Sequence, residues 1–269
     1  MDPSILLTEV TNAAAPAVCL ICRDTERAFT SPEHILPESM GNKEKALPRG
    51  VVCDVCNHGA LSDIDNALCN FYPVLLRRIM HGVPTKSGKY PSISLVGGKL
   101  TCAPSPTPSG ELSLAFTSNN PKRRLVTFTP LDDGRVEVTA SIRASGGLSD
   151  SQASEISRAM LKIGLELLWF DDRELAFSPA LDHIRAVVLG APRRGFFSVA
   201  EGPIDPAASC ARVTYQTHRT NAGRWDLIVV LEYKGIAMWT DSRLETPPPV
   251  PGDVKMVTRT FSSRDRRKR

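Results

Sequence analysis

The sequence predicts an α+β fold, in which a small loop-rich module precedes a mixed domain with an antiparallel sheet and two helices. Three observations support this prediction. Two Cys-x-x-Cys pairs enclose a turn-rich segment between Cys19 and Cys56, strand-like runs begin near residue 111, and a capping-box pattern at Ser149 opens a long apolar helix. The expected boundaries are 1–14 for an amino-terminal arm, 15–80 for the module, 81–110 for a linker, 111–258 for the α+β domain and 259–269 for a basic tail.

The end of the module is predicted to be a helix that begins near Asn57. Apolar residues recur there at helical spacing, and Pro73 predicts a bend or break because proline lacks the amide hydrogen that a helix interior needs. A second helix of the larger domain is expected at about 179–189. The strand-like runs are 111–117, 124–129, 135–143, 211–217, 225–233 and 236–240, the last two joined by a tight turn at Lys234–Gly235.

The composition indicates a soluble globular protein. Hydrophobic residues make up 42% of the chain and charged residues 23%, and no run approaches the ~20 apolar residues of a membrane span. The first residues include acids and lack the basic and apolar regions of a secretory signal. We therefore expect a protein of the cytoplasm that makes no membrane contact.

The net charge of +4 is carried by the end of the chain. The tail from Arg264 to Arg269 contains five basic residues and one acid, so the rest of the chain sums to zero. A basic tail suits an arm that contacts phosphates, since the release of counterions favours such contacts whatever the base sequence. A disordered, solubilising tail is the other interpretation, and both stay open.

The seven cysteines favour metal binding over disulfides, because the number is odd and four of them form two Cys-x-x-Cys pairs. The pairs Cys19/Cys22 and Cys53/Cys56 supply four soft thiolates, the ligand set that tetrahedral structural zinc prefers. A redox role needs only one pair in a βαβ setting, which the sequence lacks. The scattered Cys69, Cys102 and Cys210 are expected to be small buried hydrophobes.

Between the cysteine pairs lies a Glu-His-x-x-Pro-Glu element at 33–38, and Asn57 follows Cys56 directly, with Gly59 two residues on. In this ordered set of motifs the sequence resembles the HNH (ββα-metal, His-Me finger) endonucleases. The variant looks like the bacterial HNH_5 type and is similar to the zinc-binding core of phage endonuclease VII. The resemblance covers about 19–70 and implies a zinc-stapled ββα-metal module.

The resemblance implies a metal-dependent enzyme that hydrolyses DNA phosphodiester bonds, and the residue chemistry agrees with it. His34, with an ordinary pKa of ~6.5, suits a general base that activates water. Glu33 and Asn57 offer a carboxylate and an amide oxygen, which are ligands for Mg²⁺ or Mn²⁺. The ion would neutralise charge at the scissile phosphate, while zinc on the four cysteines serves as a staple.

In two respects the sequence departs from the family pattern. Glu33 stands where many members have aspartate, and its longer side chain could shift the position or preference of the metal. Asn42 is the only asparagine between the cysteine pairs, and its distance from Cys53 fits poorly with the central asparagine that usually orients the base. Asp54 and His58 flank the cysteines and could contact metal or DNA or lie exposed, whereas Asp65 is expected to be structural.

DNA contacts are expected mostly outside the module. Residues 19–70 hold five basic and eight acidic residues, a balance of −3 that repels phosphate. We therefore expect the α+β domain to supply DNA affinity, although any basic pair could equally be a solvated surface. The candidate contacts are Lys43, Arg77, Arg78, Lys122, Arg123, Arg124, Arg193, Arg194 and the tail.

The sequence thus predicts an HNH endonuclease that acts on DNA. A single site cuts one strand, so a monomer would nick and a double-strand break would need a homodimer or two encounters. Two alternatives stay open: a zinc-ribbon module that binds DNA or protein without catalysis, and a nuclease that acts on RNA. The resemblance also associates the chain with bacterial or mobile-element settings such as phage defence, and with partner proteins of a larger system.

Overall fold

In the computed structural model, most of the amino-terminal module and the carboxyl-terminal sheet are described. The described residues are 18–43, 45–95, 98–104, 112–118, 126–130, 136–140, 149–192, 196–201, 210–220, 222–242 and 254–262. The predicted arm 1–14, the candidate DNA contacts Lys122, Arg123, Arg124, Arg193 and Arg194, and the end of the tail lie outside them. Across these ranges no helix has the length and apolar character that a membrane crossing requires.

The module begins with a very short hairpin. Strand β1 (Glu33–His34) pairs antiparallel with β2 (Ala46–Leu47), so that Glu33 lies opposite Leu47 and His34 opposite Ala46. Because so short a ladder contributes few hydrogen bonds, the position of β1 depends on contacts from elsewhere in the chain.

Helices follow the hairpin. Helix α1 (Asp54–Cys56) runs through a wider turn (Asn57–Leu61) into α2 (Ser62–Asn70), and α3 (Tyr72–Met80) comes after a break at Phe71. Pro73 lies in the first turn of α3, where its missing amide hydrogen breaks no helical bond. The break predicted near this proline is therefore confirmed.

The predicted linker at 81–110 contains strands, and in this respect the sequence-based interpretation was wrong. Strands β3 (Ser92–Leu95), β4 (Gly98–Pro104) and β5 (Leu112–Ser118) form an antiparallel sheet in that order. Ile93 and Leu100 pack with Ile79 of α3, which gives this sheet its own small core. The prolines that suggested a linker begin only at the last residue of β4.

Two further strands, β6 (Val126–Pro130) and β7 (Val136–Ala140), pair with each other as an antiparallel ladder. They correspond to the runs predicted at 124–129 and 135–143.

A long helix then crosses the molecule. Helix α4 (Asp150–Asp171) starts at a capping box, in which Ser149 Oγ accepts from the Gln152 amide and Gln152 Oε1 accepts from the Ser149 amide. The predicted start is thus confirmed. The expected second helix begins as a 3₁₀ turn (Pro179–Leu181) and continues as α6 (Asp182–Val188), after a short α5 (Arg173–Ala176) that was not predicted.

The carboxyl-terminal strands are β8 (Phe196–Glu201), β9 (Cys210–Arg219), β10 (Trp225–Tyr233), β11 (Ile236–Asp241) and β12 (Val254–Ser262). They form one antiparallel sheet in the order β12-β9-β10-β11-β8. Lys234 and Gly235 join β10 to β11 with φ angles of 49° and 83°, the geometry of a tight hairpin turn. The last strand enters the segment predicted as a basic tail at 259–269, because its pairing with β9 continues to Ser262.

The module and the larger sheet share one hydrophobic core. Leu61 and Ile64 of the α2 region belong to the same buried cluster as Ile163 of α4 and Val229 of β10. Helix α4 approaches β10 closely at Gly164, where a Cβ atom would lie only 2.5 Å from Val229 Cγ2. Helix α4 therefore packs between the sheet on one side and α2 of the module on another.

Candidate functional site

The four paired cysteines converge at the base of the module. Their Sγ atoms all lie within 4.8 Å of one another, and those of Cys22 and Cys53 are 3.7 Å apart. Tetrahedral zinc with bonds of about 2.3 Å would place its sulfur ligands ~3.8 Å apart. The cluster is therefore compatible with a structural zinc ion, as the spacing of the pairs predicted.

The polypeptide around the cluster favours a thiolate at Cys19. The amides of Cys22 and Cys53 donate to Cys19 Sγ at 3.5 and 3.4 Å, and the Cys56 amide donates to Cys53 Sγ at 3.5 Å. The hydrogen bond with the Cys56 thiol, together with these amides, lowers the pKa of Cys19 to about 4. A thiolate is the form that binds metal, so the donor set suits zinc.

A buried arginine from α6 fastens the first cysteine turn to the rest of the protein. Arg185 Nε donates to the Leu20 carbonyl at 2.8 Å, and its Nη1 donates to the Ser178 carbonyl at 2.9 Å. Arg23, next to Cys22, lies over the Phe177 ring at 5.5 Å. Sequence reasoning missed Arg185, because nothing local relates it to a turn 165 residues away.

His34 is half-buried on β1. Its Nε2 is 3.5 Å from Glu38 Oε1, and the exposed Lys86 approaches the other Glu38 oxygen at 3.5 Å. Among the described atoms, the buried Nδ1 has no hydrogen-bond partner. Burial lowers the pKa of His34, which keeps the imidazole neutral near pH 7.

Asn57 is tied to the segment that enters β1. Its Nδ2 donates to the Pro32 carbonyl at 3.1 Å, which directs the amide oxygen away from that bond. Asp54, the residue directly after the buried Cys53, accepts from the Thr30 amide at 3.0 Å and from Thr30 Oγ1 at 2.7 Å. These bonds fasten the start of the helical segment to the strand of His34. They also engage the Asp54 carboxylate that had been considered for metal or DNA.

Asn42 closes the loop between β1 and β2. Its Nδ2 donates to the carbonyls of Leu36 and Lys45 at 2.9 and 2.8 Å, and its Oδ1 accepts from the Lys45 amide at 3.0 Å. The side chain is buried, so the bonds are shielded from water. Asn42 thus supports the loop after His34, although its distance from Cys53 fits the family pattern poorly.

Glu33 points to the opposite side of β1 from His34, as alternation along a strand requires. It is only 4% exposed, and its Oε1 lies 2.5 Å from Nζ of Lys162 in α4. The predicted ligand therefore does not face open solvent: one of its oxygens is engaged by a buried ammonium group.

Lys162 is the centre of a buried charge cluster that sequence reasoning missed. Its Nζ contacts Asp65 Oδ2 at 3.1 Å and Glu166 Oε2 at 3.5 Å, and donates to the His34 carbonyl at 2.9 Å. Burial raises the pKa of Asp65 to about 6 and that of Glu166 well above its ordinary value. Desolvation opposes charge on Lys162, but attraction from Asp65, Glu166 and Glu33 outweighs it and raises its pKa.

The predicted DNA contacts differ in their exposure to solvent. Arg77 and Arg78 are buried, and Arg78 Nη1 donates to the Cys69 carbonyl at 3.0 Å, so their burial argues against phosphate contacts. Lys43 is exposed in the loop between β1 and β2. Lys86, which the sequence did not indicate, is 82% exposed and pairs with Glu38, the carboxylate that also contacts His34.

Comparison with known proteins agrees with the geometry of the module. Residues 19–72 match a family model, HNH_5, described as HNH endonuclease, and the matched segment is well under half of the chain. It includes all four clustered cysteines together with Glu33, His34 and Asn57. Neither the curated proteins nor the solved structures gave a match. The segment 19–72 of this α+β protein is therefore similar to the HNH endonucleases of the HNH_5 family.

Proposed function

We propose that this chain is a metal-dependent endonuclease that hydrolyses phosphodiester bonds of DNA, with His34 as general base and Glu33 and Asn57 as ligands of one Mg²⁺ or Mn²⁺ ion. The observation that carries the proposal is the bond from Asn57 Nδ2 to the Pro32 carbonyl, beside the strand that bears Glu33 and His34. Around it, the cysteine cluster brings the turn of Cys19 and Cys22 against Cys53 and Cys56, at the start of the helical segment.

The surroundings of His34 support its role as a base. A general base must be unprotonated, and burial lowers the pKa of His34. Glu38 lies beside Nε2 and favours the tautomer that carries its proton there. That tautomer leaves the Nδ1 lone pair, which has no partner in the described part of the chain, to accept a proton from water.

The charges around Glu33 support a cation site next to it. Glu33 and Asp65 both contact the ammonium of Lys162, so negative charge exceeds positive charge there without any contribution from Glu166. Lys162 contacts Glu33 through Oε1, and we propose that the second carboxylate oxygen and the Asn57 amide oxygen are the ligands. A bound divalent ion supplies positive charge at the scissile phosphate.

DNA binding in this proposal depends on exposed basic residues beside the module, with Lys43 and Lys86 as the described candidates. The module itself carries a charge of −3 between residues 19 and 70, which argues against tight binding by the module alone. A monomer has one site and nicks one strand, and a double-strand break needs a second copy or a second encounter.

The proposal is tested by nicking of supercoiled plasmid with the zinc-loaded full chain, with and without added Mg²⁺ or Mn²⁺. We expect cleavage only with the added ion. Asn57→Ala should lower the rate about 100-fold, because it removes an oxygen ligand. The exposed neighbour His58 gives a matched control, and His58→Ala should cleave like the wild type. Binding of DNA without cleavage under all conditions would favour the zinc-ribbon alternative instead.

A further inference from the structure

Helix α4 places one buried lysine against the strand that carries the proposed catalytic residues. Lys162 is fully buried, and its ammonium group has three N–H donors. Three acceptors match them: Glu33 Oε1 at 2.5 Å, the His34 carbonyl at 2.9 Å and Asp65 Oδ2 at 3.1 Å. Two of these acceptors belong to the consecutive residues of β1, and the third belongs to α2.

The hairpin itself gives little support to this strand. Strand β1 contains only Glu33 and His34, and it pairs with only two residues of β2. An ammonium that bonds the side chain of one strand residue and the backbone of the next restrains both the position and the rotation of the strand. Lys162 lies 128 residues from His34 in the sequence, so this bond connects helix α4 of the larger unit to the hairpin.

We propose that Lys162 is a positioning residue for the nuclease site: it holds Glu33 and His34 in the geometry that cleavage requires. The inference rests on the proposed nuclease function. If Lys162 has this role, the unit that begins at Ser149 contributes to the active site, because the HNH module alone does not contain this lysine. Lys162 touches no substrate and is not itself a catalytic residue.

Purely structural stabilisation is the competing interpretation, because a buried ion pair that loses one partner leaves an uncompensated charge. The two interpretations differ in what a folded variant does. A structural lysine changes stability but not the turnover of each folded, zinc-loaded molecule. A positioning lysine changes kcat with KM unchanged, because the geometry for the reaction is lost while DNA binding persists.

Glu166→Gln is the matched control. Glu166 lies in the same buried cluster, and among the described residues its carboxylate pairs with the Lys162 ammonium at 3.5 Å and not with β1. The amide is nearly isosteric with the carboxyl group and imitates its protonated form. This variant therefore disturbs the cluster while leaving the bonds to Glu33 and His34 in place.

The experiment compares the full-length, zinc-loaded wild type, Lys162→Met and Glu166→Gln in plasmid nicking and in amide hydrogen exchange. For Lys162→Met we expect kcat to fall about 100-fold, KM to stay unchanged, and exchange to speed up across the β1–β2 hairpin. Glu166→Gln should match the wild type in all three quantities. Wild-type turnover and exchange in Lys162→Met would overturn the inference.

A milder variant decides the question if Lys162→Met does not fold. Asp65→Asn keeps the ammonium and its bond to Glu33 but weakens the anchor on α2. We expect about a tenfold loss of kcat and faster hairpin exchange, whereas unchanged values would overturn the inference. Failure of the wild type to cleave DNA would refute the nuclease proposal and this inference with it. Cleavage by the wild type with no effect of the variants refutes the inference alone.

Discussion

Replacing His34 with alanine is expected to slow DNA cleavage about 100- to 10,000-fold, the usual contribution of a general base. The cause is loss of the imidazole nitrogen that takes the proton from water. Zinc content and thermal stability should change little, because the side chain is partly exposed and Glu38, with which it pairs, is partly exposed too. The measurement is the nicking rate of supercoiled plasmid at saturating protein.

His183 provides the control for this substitution. It is about as exposed as His34, and it lies 3.4 Å from a carboxylate oxygen of Asp226 in the larger unit. His183→Ala should therefore cleave like the wild type. Equal rates for His34→Ala and the wild type would contradict the assignment of His34 as the base.

The pH dependence of the wild type checks the same assignment. A protonated imidazole cannot accept a proton, so the rate should rise with pH through the pKa of His34 and then level off. Because burial lowers that pKa, the midpoint should lie below the ordinary value of 6.5. His34→Ala should lose this limb of the profile.

Replacing Cys53 with serine is expected to release the zinc and unfold the module. Cys53 is fully buried among the clustered sulfurs, and a neutral hydroxyl is a poor substitute for a thiolate ligand. In zinc-finger peptides the binding of structural zinc contributes about 10–16 kcal/mol to folding, so its loss should unfold a module of this small size. Zinc content per chain and thermal unfolding are the measurements.

The shared core extends this effect beyond the module. Leu20 and Leu61 pack in the same cluster as Val229 of the large sheet, so we expect the melting temperature of the whole chain to fall by at least about 10 °C. Cys69 is buried but lies outside the cysteine cluster, and Cys69→Ala should keep its zinc. Full zinc content and unchanged melting in Cys53→Ser would contradict the role of the cluster.

Local patterns predicted the elements that depend on neighbouring residues. The Cys-x-x-Cys pairs predicted a cluster, because each pair forms its own tight turn, and the result is the group of four cysteines within 4.8 Å. The capping box at Ser149 and the break near Pro73 follow from backbone rules that act over a single helical turn. The same holds for the hairpin turn at Lys234–Gly235.

Contacts between distant segments were not predictable in this way. Lys162 and Glu166 lie four residues apart in a helix whose surrounding positions are apolar and buried. Two charged residues among apolar positions could have indicated a buried charge cluster, since charged residues on a buried face need partners. Nothing local identified Glu33 and Asp65 as those partners, because the contact with β1 spans 128 residues.

The buried arginines of α3 show the same difficulty. Arg77 and Arg78 come at the end of a helix, where basic residues are usually exposed. The break at Phe71 leaves carbonyl groups at the end of α2 without helical partners, and Arg78 donates to one of them, that of Cys69. This bond depends on the direction that α3 takes after the break, and local sequence patterns do not predict that direction.

The shared core also changes how DNA binding should be tested. Deleting residues 111–269 would remove Lys162 and the packing of α4 on α2, so the remaining module would lose support as well as any DNA contacts. Substitution of exposed lysines such as Lys43 and Lys86 leaves the core intact. The salt dependence of affinity in those variants measures their phosphate contacts directly.

Anomalous diffraction from crystals of the zinc-loaded protein grown with Mn²⁺ tests the central claim most directly, because it locates the two kinds of metal separately. The proposed function predicts zinc at Cys19, Cys22, Cys53 and Cys56, and a separate manganese ion bound by oxygens of Glu33 and Asn57. Manganese absent from Glu33 and Asn57, in a protein that cleaves DNA with Mn²⁺ in solution, would contradict it.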